Sequence, residues 1–209
     1  RISEGVWSNT FADGSLIPAA TNTGYLAEGA RTNLTIWNRD LTNAAWTRRS
    51  GAVTTALTAT GADGAANSAT AVRNLGAPGV ADVYQTAAYA VASGTRVEPS
   101  LSLRAVSTSG ILRFSNAYDG GAAGAWNIDL SLVSTTRMER ITRDHPAVTV
   151  TTEWVGSSLN FVQPIFDTAS GPLDFDVDLI QVELGSFATP YIPTTTVAVA
   201  RNADVLTYS

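Results

Sequence analysis

The run Asp-Phe-Asp-Val-Asp-Leu-Ile-Gln-Val-Glu-Leu at residues 174–184 limits the fold more than any other stretch of the chain. Phe175, Val177 and Leu179 alternate with Asp174, Asp176 and Asp178. Successive strand side chains point to opposite sides, so this is a strand with one apolar and one acidic face. From Ile180 the other parity turns apolar too, through Val182 and Leu184. A strand that passes from half-exposed to buried on both sides predicts a central position in a layered β structure. Three carboxylates at spacing two repel one another, which is tolerable on a solvated face or around a cation. A Gly185-Ser-Phe turn follows, and Pro190 and Pro193 bracket Tyr191.

The rest of the chain has the same texture. Trp126, Ile128, Leu130 and Leu132 alternate with Asn127, Asp129 and Ser131, as in a half-buried strand. Shorter alternations occupy 52–60, 69–75, 80–91, 96–106, 111–117, 137–143, 147–155 and 159–166, although the alanines of 80–91 would also suit a helix. Gly110 reads as the turn between 96–106 and 111–117, making them neighbouring antiparallel strands. Asp144-His145-Pro146 joins the next pair, and Pro164 predicts an edge position or a bulge. About ten short strands at a spacing of about 8–12 residues predict a sandwich or barrel, with Trp37, Trp46 and Trp126 in its core. Residues 1–23 read as an irregular arm whose Trp7 and Phe11 need a surface to bury against.

Composition narrows the functional classes. Hydrophobic residues make up 44% and charged ones 15%, so the chain folds but keeps its surface wet with Ser, Thr, Asn and Gly. With no cysteine, disulfides, thiolate nucleophiles and Cys-based metal sites are excluded. Eighteen acids oppose thirteen bases, all of them Arg, and the net charge of -5 argues against a nucleic acid partner. The lack of Lys fits a coding bias toward GC-rich codons, though Arg also suits bidentate contacts within an assembly. No apolar run is long enough for a membrane-spanning helix. The chain begins at Arg1 without a methionine, which suggests a processed piece of something longer.

Candidate chemistry is sparse. His145 is the only histidine; between Asp144 and Pro146 it reads as a turn residue, with no nucleophile elbow to serve. Asp174, Asp176 and Asp178 could face solvent or gather a cation such as Ca²⁺. The aromatic residues are the better lead, because sugar faces stack on flat rings while Asn, Asp and backbone groups take the hydroxyls. Tyr118, on a Gly-rich loop beside Asn116 and Asp119, heads a candidate glycan set that also includes Trp126 and Trp154 at strand ends. No catalytic residue is identified, so the chain is expected not to be an enzyme.

Two terminal stretches carry a resemblance. The opening 25–47 contains Gly29-Ala-Arg-Thr-Asn-Leu34 and Asn43-Ala-Ala-Trp-Thr47; the closing 181–205 contains Gly185-Ser-Phe-Ala-Thr-Pro-Tyr-Ile-Pro-Thr194. Together they resemble a family of bacteriophage virion modules found in tail fibres, tail spikes and head fibres, in which such motifs flank a lectin-like or carbohydrate-binding jelly roll. The resemblance implies an all-β jelly-roll β-sandwich over 25–193, after an arm at 1–24 and before a strand or linker at 194–209. It implies a non-enzymatic domain on the virion surface, attached to other virion proteins and binding a host-surface glycan. A trimer is expected by analogy with such fibres. A purely structural decoration protein and a non-catalytic part of a polysaccharide depolymerase are the alternatives. The only cofactor implied is a candidate structural calcium between early and late strands, with Asp40 and Asp178 as its pair. The opening motif is expected to pack against 185–193, clasping the two ends together.

Overall fold

The structure, a computed structural model, describes residues 2–3, 6–7, 30–49, 53–77, 81–86, 88–116, 124–157, 161–168 and 171–203. The chain forms two compact units, Arg1–Gly29 with Ala203–Ser209, and Ala30–Asn202. In the first, β1 (Ile2–Ser3) pairs with β2 (Val6–Trp7), so the segment expected to be irregular carries a short antiparallel ladder. Phe11 lies outside the described residues.

The second unit is a jelly-roll sandwich. One sheet runs β12 (Glu139–Ile141), β9 (Val97–Ala105), β16 (Leu173–Leu184), β3 (Arg31–Asn33) and β17 (Val199–Arg201). β5 (Thr54–Ala59) and β6 (Ala69–Leu75) complete it, β6 pairing with the first half of β16 and β3 with its end. The other sheet runs β13 (Val148–Thr152), β11 (Ala125–Asp129), β10 (Ile111–Asn116), β15 (Pro164–Thr168), β7 (Val83–Gln85) and β4 (Trp46–Arg48). A small ladder of β8 (Tyr89–Ala90) and β14 (Phe161–Val162) stands beside them. Within these ladders every pairing is antiparallel, and the core lies between the two large sheets. Its centre is aromatic: Phe114 stacks on Phe166 at 4.5 Å and meets Trp154 at 4.9 Å, and Phe166 also meets Phe175.

β16 is the central strand of its sheet, as the alternation predicts, but the change of parity within it has a different cause. Leu179 has φ 51°, and the register with β9 shifts between Asp178 and Gln181. This β-bulge adds one residue, so the core side is Phe175 and Val177 before it and Ile180 and Val182 after it. The strand is not apolar on both faces; the bulge keeps one apolar face through a switch from odd to even positions. The other face carries Asp176, Asp178, Gln181 and Glu183, all fully buried.

Those acids are not solvated. Asp176 is clamped by Arg73 at 2.8 Å and by Arg104, while Asp178 accepts from Arg39 at 2.8 and 2.9 Å and from the Ala62 N–H. Asp174 is half-buried and accepts from the Asn74 N–H. The arginines arrive from β6, β9 and the turn after β3, neutralising the repulsion that spacing alone implies.

Two further expectations are corrected. β9 and β10 are not neighbours: the 106–110 connection carries the chain from one sheet to the other. The two strands joined at Asp144-His145-Pro146, β12 and β13, lie in different sheets. Pro164 begins an interior strand instead of an edge; it stands opposite Asn116, whose Oδ1 accepts the preceding Gln163 N–H at 2.7 Å. Within 194–209, β17 pairs with β3 from Val199 to Arg201.

Candidate functional site

Which sheet face can meet a ligand depends on what covers each one. Across the outer face of the seven-stranded sheet runs the closing segment. Glu183 accepts from the Thr189 N–H at 2.9 Å and its hydroxyl at 2.5 Å, and Gln181 accepts from the Ile192 N–H at 2.7 Å. The opening motif holds the same segment from the other side. Asn33 Nδ2 donates to the Ile192 carbonyl at 2.9 Å; Asn38 donates to it at 3.2 Å and accepts from the Tyr191 hydroxyl at 2.8 Å. Thr194 donates to the Thr35 carbonyl, and the Trp37 N–H to that of Thr195. Arg31 lies over the Phe187 ring at 4.7 Å and against Gly185, where φ is 137° and any side chain would press on the guanidinium at 3.2 Å. From Arg31 onward the two motifs therefore form the expected clasp; Gly29 lies outside the described residues.

The six-stranded sheet presents its outer face differently. In β10, Leu112 and Phe114 enter the core, so Arg113 points away from it; in β11, Trp126 and Ile128 enter and Asn127 points away. The same parity puts Asp167 of β15, Tyr84 of β7, Thr47 of β4 and Thr149 of β13 on that face. In register, Thr149 stands opposite Asn127, Asn127 opposite Arg113, and Arg113 opposite Asp167. Asp82 and Arg49 extend this row beyond β15. At about 4.8 Å per strand the row spans about 24 Å, enough for several sugar rings in extended chain.

Charge on this face is arranged in pairs. Arg113 forks onto Asp167 with contacts of 2.7 and 2.9 Å. Arg49 approaches Asp82 at 3.4 Å and lies 4.7 Å over the Tyr84 ring. The arginine side chains remain 35% and 26% exposed, while the two carboxylates beneath them are nearly covered. Burial pushes the Asp167 carboxyl above its ordinary range, with Arg113 opposing the shift and Asp82 adding to it. The face thus combines planar donors, carboxylate acceptors, an amide and an aromatic ring, groups able to exchange hydrogen bonds with hydroxyls, and its two ion pairs cancel in charge.

The residues singled out from sequence are distributed otherwise. Trp126 is 2% and Trp154 1% exposed; both pack in the core, so neither ring can stack on a sugar, which corrects their place in the glycan set. Asn116 is also buried, donating to the Val155 carbonyl at 2.7 Å and accepting from Gln163. Tyr118 and Asp119 lie outside the described residues. Asp40 caps its own turn by accepting from the Thr42 N–H and hydroxyl, whereas Asp178 is committed to Arg39, so the two carboxylates have separate partners rather than one shared cation. Among the described residues no three His, Asp or Glu side chains converge as metal ligands. His145 is a turn residue as expected, its Nδ1 accepting from the Ala147 N–H. Arg113, Asp167, Tyr84 and Arg49 escaped the sequence reading, which weighed loop aromatics over the polar positions of strands.

No known family model matches the sequence, and no curated protein does. Solved structures do share the fold. A Clostridium thermocellum endo-1,4-β-D-xylanase 10B structure containing CBM22-1 and GH10 modules, complexed with xylohexaose, matches 80% of this chain with a TM-score of 0.51 at 11% identity. The match covers 30% of that longer chain. The family 11 carbohydrate-binding module of Clostridium thermocellum, in complex with a β-1,3-1,4-mixed-linked tetrasaccharide, matches over 77% of this chain and 98% of its own, with a TM-score of 0.48 and 15% identity. The chain is thus similar in architecture to carbohydrate-binding jelly rolls.

Proposed function

We propose that this protein is a non-enzymatic glycan-binding module of a phage fibre or spike, displayed on the particle surface, held among other virion proteins and assembled as a trimer. The observation that carries the glycan reading is the outer face of the six-stranded sheet. There, Tyr84, Arg49, Arg113, Asp167 and Asn127 form a polar row with an aromatic ring, while the opposite sheet is occupied by the chain's own closing segment. Paired arginines and carboxylates suit sugar hydroxyls because each side chain is already oriented by its partner and loses little freedom on binding. The xylohexaose bound in the xylanase structure of shared fold supports the same class of ligand. The phage assignment rests on the two terminal motifs, whose polar residues work in the clasp and so speak to lineage, not to ligand.

Binding of the purified chain to a panel of host-surface polysaccharides by affinity electrophoresis tests this reading. The expected result is retardation on at least one polysaccharide, weakened about tenfold or more by Tyr84→Ala or Arg113→Ala, with no reducing ends released. Equal retardation of both variants would remove this face from the binding site, and release of reducing ends would make the protein an enzyme.

A further inference from the structure

The outer face of the seven-stranded sheet is not wholly sealed by the closing segment. A small recess of about 40 Å³, open to solvent, lies between Ser100, Leu101 and Ser102 of β9, Arg140 of β12, Leu179 of β16 and Tyr191. Its floor is the break in the sheet: Leu179 holds a left-handed φ of 51° that a leucine rarely adopts, and the β9–β16 register slips beside it. Non-glycine residues in that conformation cluster at ligand clamps. Arg140 overhangs the opening, donating to the Thr189 carbonyl and, at 3.4 Å, to the Ser100 hydroxyl. It is exposed, and among the described residues no carboxylate lies within ion-pair distance of it, whereas Arg39, Arg73, Arg104 and Arg113 each face one. Asp178, in register with Arg140 across Ser102, is already neutralised by Nε and Nη2 of Arg39.

We infer that this recess is a second ligand site, which takes the carboxylate of an acidic sugar, a uronate, against Arg140 and the two serine hydroxyls while the pyranose ring lies on Tyr191. A planar guanidinium matches a planar carboxylate through paired N–H···O bonds, and the serines can donate to the same oxygens. The recess has room for the carboxylate and not for the ring, which stays at its mouth. The site is separate from the polar row on the six-stranded sheet and stands or falls independently of it.

Amide chemical shifts of the whole chain, followed while sodium glucuronate is added, test the inference, with glucose and sodium sulfate in parallel. The expected result is a saturating shift of the Leu101, Ser102 and Leu179 amides with glucuronate, absent with glucose and much weaker with sulfate. Arg140→Gln, whose thermal melt should match the parent, is expected to weaken the response about tenfold. Tyr84→Ala should leave it unchanged, which separates this site from the other face. No shift with glucuronate, an equal shift with glucose, equal saturation by sulfate, or full retention in Arg140→Gln would each overturn the proposal. Should Arg140→Gln melt lower than the parent, Ser102→Ala replaces it, with a severalfold loss expected and an unchanged response overturning the site.

Discussion

The Asn33 side chain donates to the Ile192 carbonyl at 2.9 Å across 159 residues of sequence. The same side chain accepts from the Thr35 N–H at 3.0 Å and the Val182 N–H at 3.2 Å, so one buried amide ties the opening motif, the central strand and the closing segment. Asn33→Ala leaves these buried groups without their partner and is expected to cost about 2–4 kcal/mol. Differential scanning calorimetry should show this as a fall in Tm of about 5–15 °C, larger than for any single alanine substitution on the six-stranded sheet's outer face.

Asp176 sits between Arg73 and Arg104 with its carboxylate fully buried. Replacing it by Ala leaves two guanidinium groups facing each other, and breaking a buried pair in this way costs about 3–5 kcal/mol. Because both arginines reach water, the low end of that range is expected. Asp176→Asn, which keeps an acceptor, should lose less. Urea unfolding midpoints of the two variants compare the cases directly; an Ala variant as stable as the parent would show that the clamp contributes nothing net.

Glu98 stands opposite Glu183 in the β9–β16 ladder, 3% exposed, with its carboxyl pushed up to about 8 by burial and by the neighbouring charges of Glu153, Asp144 and Glu183. Arg96 and Arg143 approach it only at 3.9 Å, each being drawn closer to Glu153. The folded protein therefore holds a proton that the unfolded chain releases above its ordinary value of 4.5. Stability from this group falls as pH rises from about 4.5 through about 8. Glu98→Gln should flatten the pH dependence across that window and raise the urea midpoint at pH 9 above that of the parent.

Asn127 is half-buried on the outer face of the six-stranded sheet, with no role in the core. Asn127→Ala should change stability by no more than about 0.5 kcal/mol while weakening polysaccharide retardation. Trp154→Ala reverses the pattern: it opens a cavity beside Phe114 and is expected to cost about 3–5 kcal/mol. Melting curves set beside affinity electrophoresis distinguish the two.

Alternation alone determined that this chain is a many-stranded β protein, that 174–184 is its central strand, and which parity of β11 enters the core. Those are local properties, set by side chains that leave a strand on alternate sides. The bulge at Leu179 was written in the sequence as a switch from odd to even apolar positions, but two-sided burial produces the same pattern, and only the slip against β9 separates them. Whether Asp176 and Asp178 face water was not local at all, since Arg39, Arg73 and Arg104 come from three distant segments. The candidate face followed the same rule. Arg113, Asp167 and Tyr84 look like ordinary polar strand positions one by one, and become a surface only when three strands far apart in sequence are paired in register.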